Sequence, residues 1–558
     1  MRMLILIVAL LIAQTVFLTA EADDAEMIPG MQWTSADMLS PISDISIFRY
    51  SSNGLGAYPW RMSVPGAPMR VCVDGVPLYG YSPFGPDLDL VPAAFVDSVF
   101  VDSQGRLSIV TGSGARDEPM TKTNFISGDD RLFHFDAAFR RKVGENGSFF
   151  LGGASNGIHG AHDRETASTR YYNLKYRRAL EGGAELVFLA RAFRDRDGIR
   201  NLRRGEHMGA RETDNATISL GLKHLALGER TKVSPTVFYQ SGISKFKRDN
   251  IVKSLDDNAF GFSAIAEHET GSVTLGADLS SDIRYFDSRI HDLSWHRNDT
   301  RLSANLSEQD GRFRYSLLGG VLRSSQYGTG WTGSGEAAYD LTQTLFLTAH
   351  VKTGDEFPDS GMEVYPSLSY SDSAIVTNPD RYRTDEIEAG VQYQGDSLRM
   401  GFYGFITKTG HPWFDPSTYL CRQSGGEQYS GIRTFAERSL KGWYRGRVSI
   451  SYTDGPDSGA FNPCPVFNAD LFSQIRRAFF NGRLDGKAFA SARISTWKDV
   501  MTPDKTTFFL DTGASITVLT LSAYFKVENI TGESMRWFGT YGWTDITTIW
   551  GVSWNLIN

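Results

Sequence analysis

From about Asn124 to the end of the chain, apolar and polar residues alternate with a period of two. Phe133, Phe135, Ala137 and Phe139 interleave with His134, Asp136, Ala138 and Arg140. Tyr172, Leu174 and Tyr176 interleave with Asn173, Lys175 and Arg177. The same pattern recurs in Ile218-Leu220-Leu222, Phe260-Phe262-Ala264-Ala266, Val273-Leu275-Ala277-Leu279, Leu345-Leu347-Ala349-Val351 and Ile387-Ala389-Val391-Tyr393. It reaches the carboxyl end in Leu519-Leu521-Ala523-Phe525-Val527 and Trp550-Val552-Trp554-Leu556. A period of two places one apolar and one polar face on a β-strand. The pattern therefore predicts an all-β chain of many antiparallel strands.

The apolar face is either the core of a soluble sandwich or the lipid face of a membrane barrel. Two features select lipid. The alternation runs for over 400 residues without a helical interruption and without a repeated motif of the propeller or solenoid kind. The connections also alternate in length. Glu181-Gly182-Gly183, Leu227-Gly228-Glu229, Gln309-Asp310-Gly311 and Gly395-Asp396 are tight, whereas Gly157–Thr169 and Phe405–Gly431 are long. Outer-membrane barrels have short periplasmic turns and longer extracellular loops. Residues 119–558 are thus expected to form a transmembrane antiparallel β-barrel of about 22 strands, or roughly 16–20 if the loops are longer.

Residues 1–22 read as a signal peptide. Arg2 supplies the positive start, Leu4 to Leu18 the apolar stretch, and Ala20-Glu21-Ala22 a small-x-small cleavage site. No later stretch approaches about 20 apolar residues, so no helical bundle is expected. The mean hydropathy of -0.27 is compatible with a barrel, whose alternating strands dilute the average. Glycine (56 residues) and aromatics (12%) are plentiful, as turns and interfacial girdles require. A net charge of -7 argues against nucleic acid as a partner. The cysteines Cys72, Cys421 and Cys464 are too few for a disulfide scaffold or a thiolate metal site. Cys421 and Cys464 can pair if their loops meet outside the cell.

Residues 23–118 differ from the rest. Val71-Cys72-Val73 reads as a strand ending at the turn Asp74-Gly75. Pro77, Pro83, Gly85 and Pro86 keep the next residues irregular. Ala93 to Asp97 fits one or two helical turns, and Ser98 to Val101 a second strand. Arg106 to Thr111 reads as a last strand, Ser46–Tyr50 and Trp60–Val64 as earlier ones, and Ser35 as the cap of a short helix to Leu39.

Val73-Asp74-Gly75-Val76-Pro77, Asp87-Leu88-Asp89-Leu90-Val91-Pro92 and Val99-Phe100-Val101 follow one another as the elements of the plug domain of TonB-dependent outer-membrane receptors do. The resemblance extends to the carboxyl end, where Ser522 to Thr531 resembles that family's F-x-[RK]-V-x-N-L strand. It implies a small α+β plug inside the barrel. It also implies uptake of a scarce solute across the outer membrane of a Gram-negative-type bacterium, driven by a TonB-type energy-coupling protein. Lipid and the barrel assembly machinery are the further partners implied. The plug is reduced: residues 23–40 carry no recognisable TonB box, and the loop usual after Val101 is cut away. The chain ends in Asn558 rather than an aromatic residue. A porin-like channel without energy coupling, and a structural or adhesive barrel, stand as alternatives.

No catalytic constellation, cofactor fingerprint or paired-cysteine metal site is present in the sequence, and a non-enzyme is expected. Phe508 to Ser515 contains the Asp511-Thr512-Gly513 string of aspartic proteases, but only 47 residues follow Asp511, and barrel strands account for them. His159 and His162, with Asp163 and Glu165, read as a solvated loop rather than a metal site. The charged run Asp195–Gly205 reads as a loop or the mouth of the lumen. Trp413, Phe414 and Tyr419 form an aromatic loop, which faces either a ligand or the membrane interface.

Overall fold

The structure is a computed structural model. It describes residues 34–557 apart from 40–44, 50–55, 62, 65–68, 80–84, 102–104, 113–117, 130, 160–165, 201–206, 249–250, 289–292, 359–379, 416–419, 424–425, 441, 456–464, 498–504, 534, 538–540 and 544–545. The reading of residues 1–22, the box region 23–33, His162, Tyr419 and Cys464 falls outside the described residues.

Twenty-two antiparallel strands form a closed barrel. The first, Met120–Gly128, pairs with the last, Thr547–Ile557, from Gly128↔Ile549 to Met120↔Ile557. Ten strand pairs are joined at one end by tight turns such as Gly271-Ser272 and Gly311-Arg312, where positive φ at Gly271 (63°) and Gly311 (56°) reverses the chain. The strand His207–Lys223 continues as Leu225–Ala226 beyond His224, whose φ of 54° makes a bulge.

Side-chain parity separates lipid from core as the sole account of the apolar face. In Thr166–Ala179, Tyr172 is 56% exposed while Asn173 and Lys175 are 1% and 2% exposed. The apolar residues point out and the polar ones point in, the reverse of a soluble sandwich. Ile218, Leu220, Leu302, Leu317, Ile387 and Phe402 continue this outer band. Exposed aromatics cluster at both rims, with Phe313, Tyr339, Trp443 and Phe480 near the tight turns and Tyr285, Trp331, Tyr452 and Trp550 near the loops. Such girdles sit at the two bilayer interfaces. Among the described residues no helix is long and apolar enough to cross a membrane, so the strands do the crossing.

The segment preceding the barrel packs inside it. Strands β1 (Ile45–Arg49) and β2 (Ala57–Arg61) form a hairpin. Strands β3 (Val71–Val73), β4 (Val76–Pro77), β5 (Val96–Val101) and β6 (Leu107–Thr111) form a sheet in the order β4-β3-β6-β5, with β3 and β6 parallel. Among its described residues the helical content is two 3-10 turns, Leu88–Leu90 and Ala93–Phe95. Positive φ at Asp74 (54°) and Gly75 (82°) gives the β3–β4 turn the type I′ shape that an Asp-Gly pair favours.

Two local expectations are corrected. Thr34–Leu39 is a run of turns rather than a capped helix, because the Ser35 hydroxyl donates to Leu88 O (3.0 Å) and Ser35 N to Val91 O (2.8 Å). Asp37, not Ser35, takes the local bond, from Thr34 N at 3.2 Å. The strand expected over Trp60–Val64 ends at Arg61, where Val64 N turns back to Arg61 O at 3.3 Å ahead of Pro65.

Candidate functional site at the seam between plug and wall

The V-D-G-V-P turn does more than reverse the chain. The left-handed backbone at Asp74 swings its carboxylate toward β6 and the barrel wall. Asp74 accepts from Thr111 N (3.0 Å) and Thr111 Oγ1 (2.5 Å), and pairs with Lys175 Nζ at 2.6 Å. Lys175 also donates to Thr111 O, and Asn173 donates to Thr111 Oγ1 at 3.0 Å. Next to them, Arg191 donates to Val73 O and Pro77 O. Arg140 pairs with Asp97 at 2.9 Å. Lys175 and Arg191 lie on the polar parity of their strands, which aims them at the plug.

Apolar contact reinforces this side. Phe95, fully buried, meets Phe150 edge-on at 5.6 Å between ring centres and Tyr171 at 5.8 Å. Gly152 of the wall makes room for it: a Cβ there would lie 2.7 Å from Phe95 Cζ. Phe95, Phe150, Tyr171 and Phe193 share one core with Leu88, Val91 and Leu107. The plug is therefore fastened, by charge and by packing, to the strands between Phe133 and Arg200.

The opposite side is looser. Arg61, at the end of β2, makes a bidentate pair with Glu386, both bonds 3.0 Å, and the Glu386 side chain is fully buried. Thr407 Oγ1 donates to Ser63 O, Arg70 to Phe357 O (3.2 Å), and Arg106 lies 3.9 Å from Asp278. Between these contacts the wall stands away from the plug. A cavity of about 910 Å³ reaches the tight-turn end, lined by Ser272, Gln309, Arg314 and Gln394 together with Arg61 and Gly105 of the plug. A smaller one of about 80 Å³ lies toward the loops, beside Phe357, Tyr382 and His411.

Toward the loop face, Tyr79 donates to Asp282 at 3.1 Å and carries the Arg284 guanidinium 3.8 Å above its ring. Arg284 pairs in turn with Asp257 at 2.5 Å. Burial, then the Asp282 charge, pushes the Tyr79 phenol well above its ordinary range, so it stays a neutral donor. In the D-L-D-L-V-P step, Asp87 caps the first 3-10 turn, its Oδ1 accepting from Ala57 N and Asp89 N, both at 2.9 Å. Burial, and next the Asp89 charge, raise Asp87 from 3.8 to about 7.

A raised carboxyl makes the folded plug hold a proton that the unfolded chain releases, so the contribution of Asp87 to stability is fully present below pH 3.8 and is lost as pH rises through about 7. Hydrogen exchange at Ala57 and Asp89, corrected for intrinsic rate, is expected to lose protection by about tenfold or more between pH 5 and 8. Asp87→Asn keeps the Oδ1 acceptor and is expected to flatten that profile. An unchanged slope in the variant refutes the assignment.

The structure thus brings Val73, Asp74, Gly75, Val76 and Pro77 to the seam. It buries Leu88 and Pro92 in the plug, where Pro92 bridges Thr34, and leaves Asp87 half-buried at the cap of the first 3-10 turn. Trp413 and Phe414 lie on a short hairpin, Pro412–Asp415 paired with Leu420–Gln423, and their side chains are not among the described ones. The charged run after Asp195 begins as strand rather than loop: Asp195 is buried in the lumen and accepts from Thr169 at 2.7 Å. His159 ends a strand with its side chain exposed. Asp511 lies within Lys505–Val518 and accepts from Asn529 N at 2.8 Å, stitching the next strand end. Among the described residues no group of three or more His, Cys, Asp or Glu is placed to hold a metal ion. Sequence reasoning did not single out Phe95, Lys175, Arg61 and Glu386 as contacts; parity marks Lys175 and Glu386 as inward, and nothing local names their partners.

No family model and no curated protein matches the sequence. Solved structures do match the fold. The FrpB iron transporter from Neisseria meningitidis (F5-1 variant) superposes with a TM-score of 0.77 at 13% identity, covering 96% of this chain and 100% of that one. The copper transporter OprC gives 0.77 at 12% identity, with 96% and 98% covered. A variant of the ferric enterobactin receptor PfeA from Pseudomonas aeruginosa gives 0.75 at 12% identity, with 96% and 98% covered. These are TonB-dependent receptors with 22-strand barrels, and the fold of this chain is theirs.

Proposed function

We propose that this chain is an outer-membrane receptor of the TonB-dependent type that takes up a scarce solute. Residues 1–22 are its signal peptide, 23–118 its reduced plug and 119–558 its barrel. The observation that carries the reading is a plug seated inside a closed, lipid-faced barrel and pinned to one wall by Asp74, Thr111 and Lys175. A barrel kept for adhesion or bulk diffusion gains nothing from a buried ion pair that holds a stopper in its lumen. The neighbours that transport iron or copper support a scarce metal, free or chelated, as the solute class. Transport rather than catalysis fits those neighbours. The protein lies in the outer membrane of a Gram-negative-type bacterium. Its partners are lipid on the apolar band, the solute at the loop face, a TonB-type coupling protein reaching residues ahead of Thr34, and the barrel assembly machinery. Trp413, Phe414 and Tyr419 contribute to solute capture.

Deletion of Asp23–Gly30 tests the energised step. It is expected to cut protonophore-sensitive uptake of radioactive iron, supplied with a panel of chelators, at least about tenfold, while the folded barrel still reaches the outer membrane. Unchanged protonophore-sensitive uptake in the deletion strain refutes energy coupling through this segment.

A further inference from the structure

Phe480 and Leu519 are the two most exposed large apolar side chains among the described residues, at 78% and 73%. Both sit at tight turns with left-handed backbone, φ 52° and 55°. A bulky side chain strains that backbone, whereas glycine adopts it freely. Gly144, Gly182, Gly271 and Gly311 take it in other turns of the same rim. Those turns carry polar tips, among them Glu145, Glu181, Ser272 and Arg312. Strain that keeps an apolar group in the open calls for a partner that covers it.

The tips belong to one arc. Leu519 N donates to Arg483 O (3.1 Å), which joins the two turns. Arg476 N donates to Trp443 O (2.7 Å), which brings the preceding turn alongside, with Trp443 itself 40% exposed. On the outer wall behind the tips, Phe479, Leu484, Val518 and Leu521 pair in one row across four strands. Phe479, Val518 and Leu521 are exposed, so this row carries the lipid-facing band down to the turns.

Arg477 interrupts that surface. It lies on the outward parity of Phe467–Phe479, between the exposed Ile475 and Phe479, while Gln474 is buried in the lumen. Its guanidinium stands 5.2 Å from the centre of the Phe479 ring, on the side of the rim. Opposite Arg477 is Gly486, and beyond it Ile516. Gly486 has no side chain, and a Cβ there would make only ordinary contacts of 3.7 Å with Arg477 O and 3.9 Å with Phe479 Cε2. A notch one strand wide therefore opens beside the arginine. Arg483, exposed in the turn, is a second cation. Among the described residues no carboxylate pairs with Arg477 or Arg483; Asp485, in the same hairpin, is held by Arg476 at 3.0 Å. A cation set among apolar residues at a bilayer interface finds its counter-charge in a lipid phosphate.

We propose that this arc of the turn rim is a docking surface for an anionic glycerophospholipid of the periplasmic leaflet. Arg477 and Arg483 hold the phosphate, the acyl chains lie along the row from Phe479 to Leu521, and Trp443, Phe480 and Leu519 enter the headgroup layer as a collar. Two features select lipid over a protein partner. The patch is continuous with the lipid-facing band, and its cations complement a phosphate. The surface needs the barrel to span the membrane and needs nothing of energised uptake, so the Asp23–Gly30 deletion has no bearing on it.

Two measurements on the full chain test it. In the first, native mass spectrometry reads the lipid kept by chain released from micelles with equal phosphatidylglycerol and phosphatidylethanolamine. The parent chain is expected to keep the anionic lipid at least about tenfold over the zwitterion. Arg477→Gln with Arg483→Gln should lower that preference about fivefold or more. Phe480→Gly with Leu519→Gly suits the turn backbone and should lower the total lipid kept about threefold or more. An unchanged preference in the first variant, or unchanged retention in the second, overturns the proposal. Glycerol 3-phosphate in about tenfold excess should leave the lipid in place; displacement by it marks a site for free phosphate and overturns the lipid assignment.

The second measurement reads the collar. In phosphatidylglycerol nanodiscs, Phe480→Cys is expected to react with a water-soluble maleimide at least about tenfold more slowly than Ser272→Cys, after correction for the parent chain's own cysteines. Equal rates overturn the collar. Protection that appears only when two chains share a disc marks a second copy as the occupant and overturns it as well.

Discussion

Replacing Lys175 by methionine is expected to loosen the plug from the barrel wall while leaving the barrel closed. Lys175 and Asp74 meet at 2.6 Å with side chains only 2% and 4% exposed. Removing one member of a buried pair leaves the other without its counter-charge, at a cost of about 3–5 kcal/mol. The amides of β3 and β6 sit beside this pair and should exchange about 100-fold faster or more, since each 1.4 kcal/mol is a factor of ten. Barrel amides and heat-modifiable migration should be unchanged. The partner change, Asp74→Asn, keeps the turn because Asn also accepts positive φ, and strands Lys175 instead. Combining Lys175→Met with Asp74→Asn removes both charges and should recover part of the loss, a coupling of about 1–3 kcal/mol. Additive single effects, or amides of β3 and β6 that exchange at the parent rate in Lys175→Met, refute the anchor.

The second large effect is steric. Gly152→Val places a branched side chain where the ring of Phe95 stands, with even the Cβ 2.7 Å from Cζ. Overpacking of this kind costs about 1–3 kcal/mol or more, and Phe95→Ala, which empties the same contact, about 3–5 kcal/mol. Both should make the plug sensitive to protease added from the periplasmic side at concentrations that spare the parent chain. Pairing Gly152→Val with Phe95→Ala fits a larger wall residue to a smaller plug residue. The pair should be less sensitive than Phe95→Ala alone. If the pair is worse than either single change, Phe95 and Gly152 do not pack as described.

These two tests mark where sequence reading stops. Barrel architecture was legible because lipid imposes a periodic constraint: Tyr172, Leu174 and Tyr176 report the outer face whatever surrounds them. The tight turns were legible for a similar local reason, since Gly271, Gly311 and the Asp74-Gly75 pair adopt backbone shapes that few residues allow. The seam was not legible. Asp74 looked like a turn residue, and the 101 residues to Lys175 leave no pattern by which the two could be matched. Arg61 and Glu386, 325 positions apart, are harder still. Parity says that an inward charge exists and cannot say which element of the plug meets it. The helix expected after Ser35 was lost for the same reason, because a distant carbonyl, Leu88 O, took the hydroxyl. The upward shift of Asp87 follows first from burial, which becomes visible only once the barrel is closed around the plug.

The strands differ greatly in length, and that difference shapes the mouth of the pore. About 9–11 tilted residues cross a bilayer. The first and last strands have 9 and 11 residues and do little more than cross it, whereas Thr231–Arg248 and Ile251–Thr270 have 18 and 20. Their excess lies at the loop end and its chemistry shows where lipid stops: outward of Tyr239 and Ile243 come Lys245 and Lys247. That ribbon of sheet rises roughly 10–20 Å into water, while the rim at the closing strands stays near the headgroups. The barrel strands themselves consequently end unevenly at the loop face, high along one arc and low along the other. A solute reaching the high arc meets Lys245 and Lys247 above the lipid before any plug residue is touched.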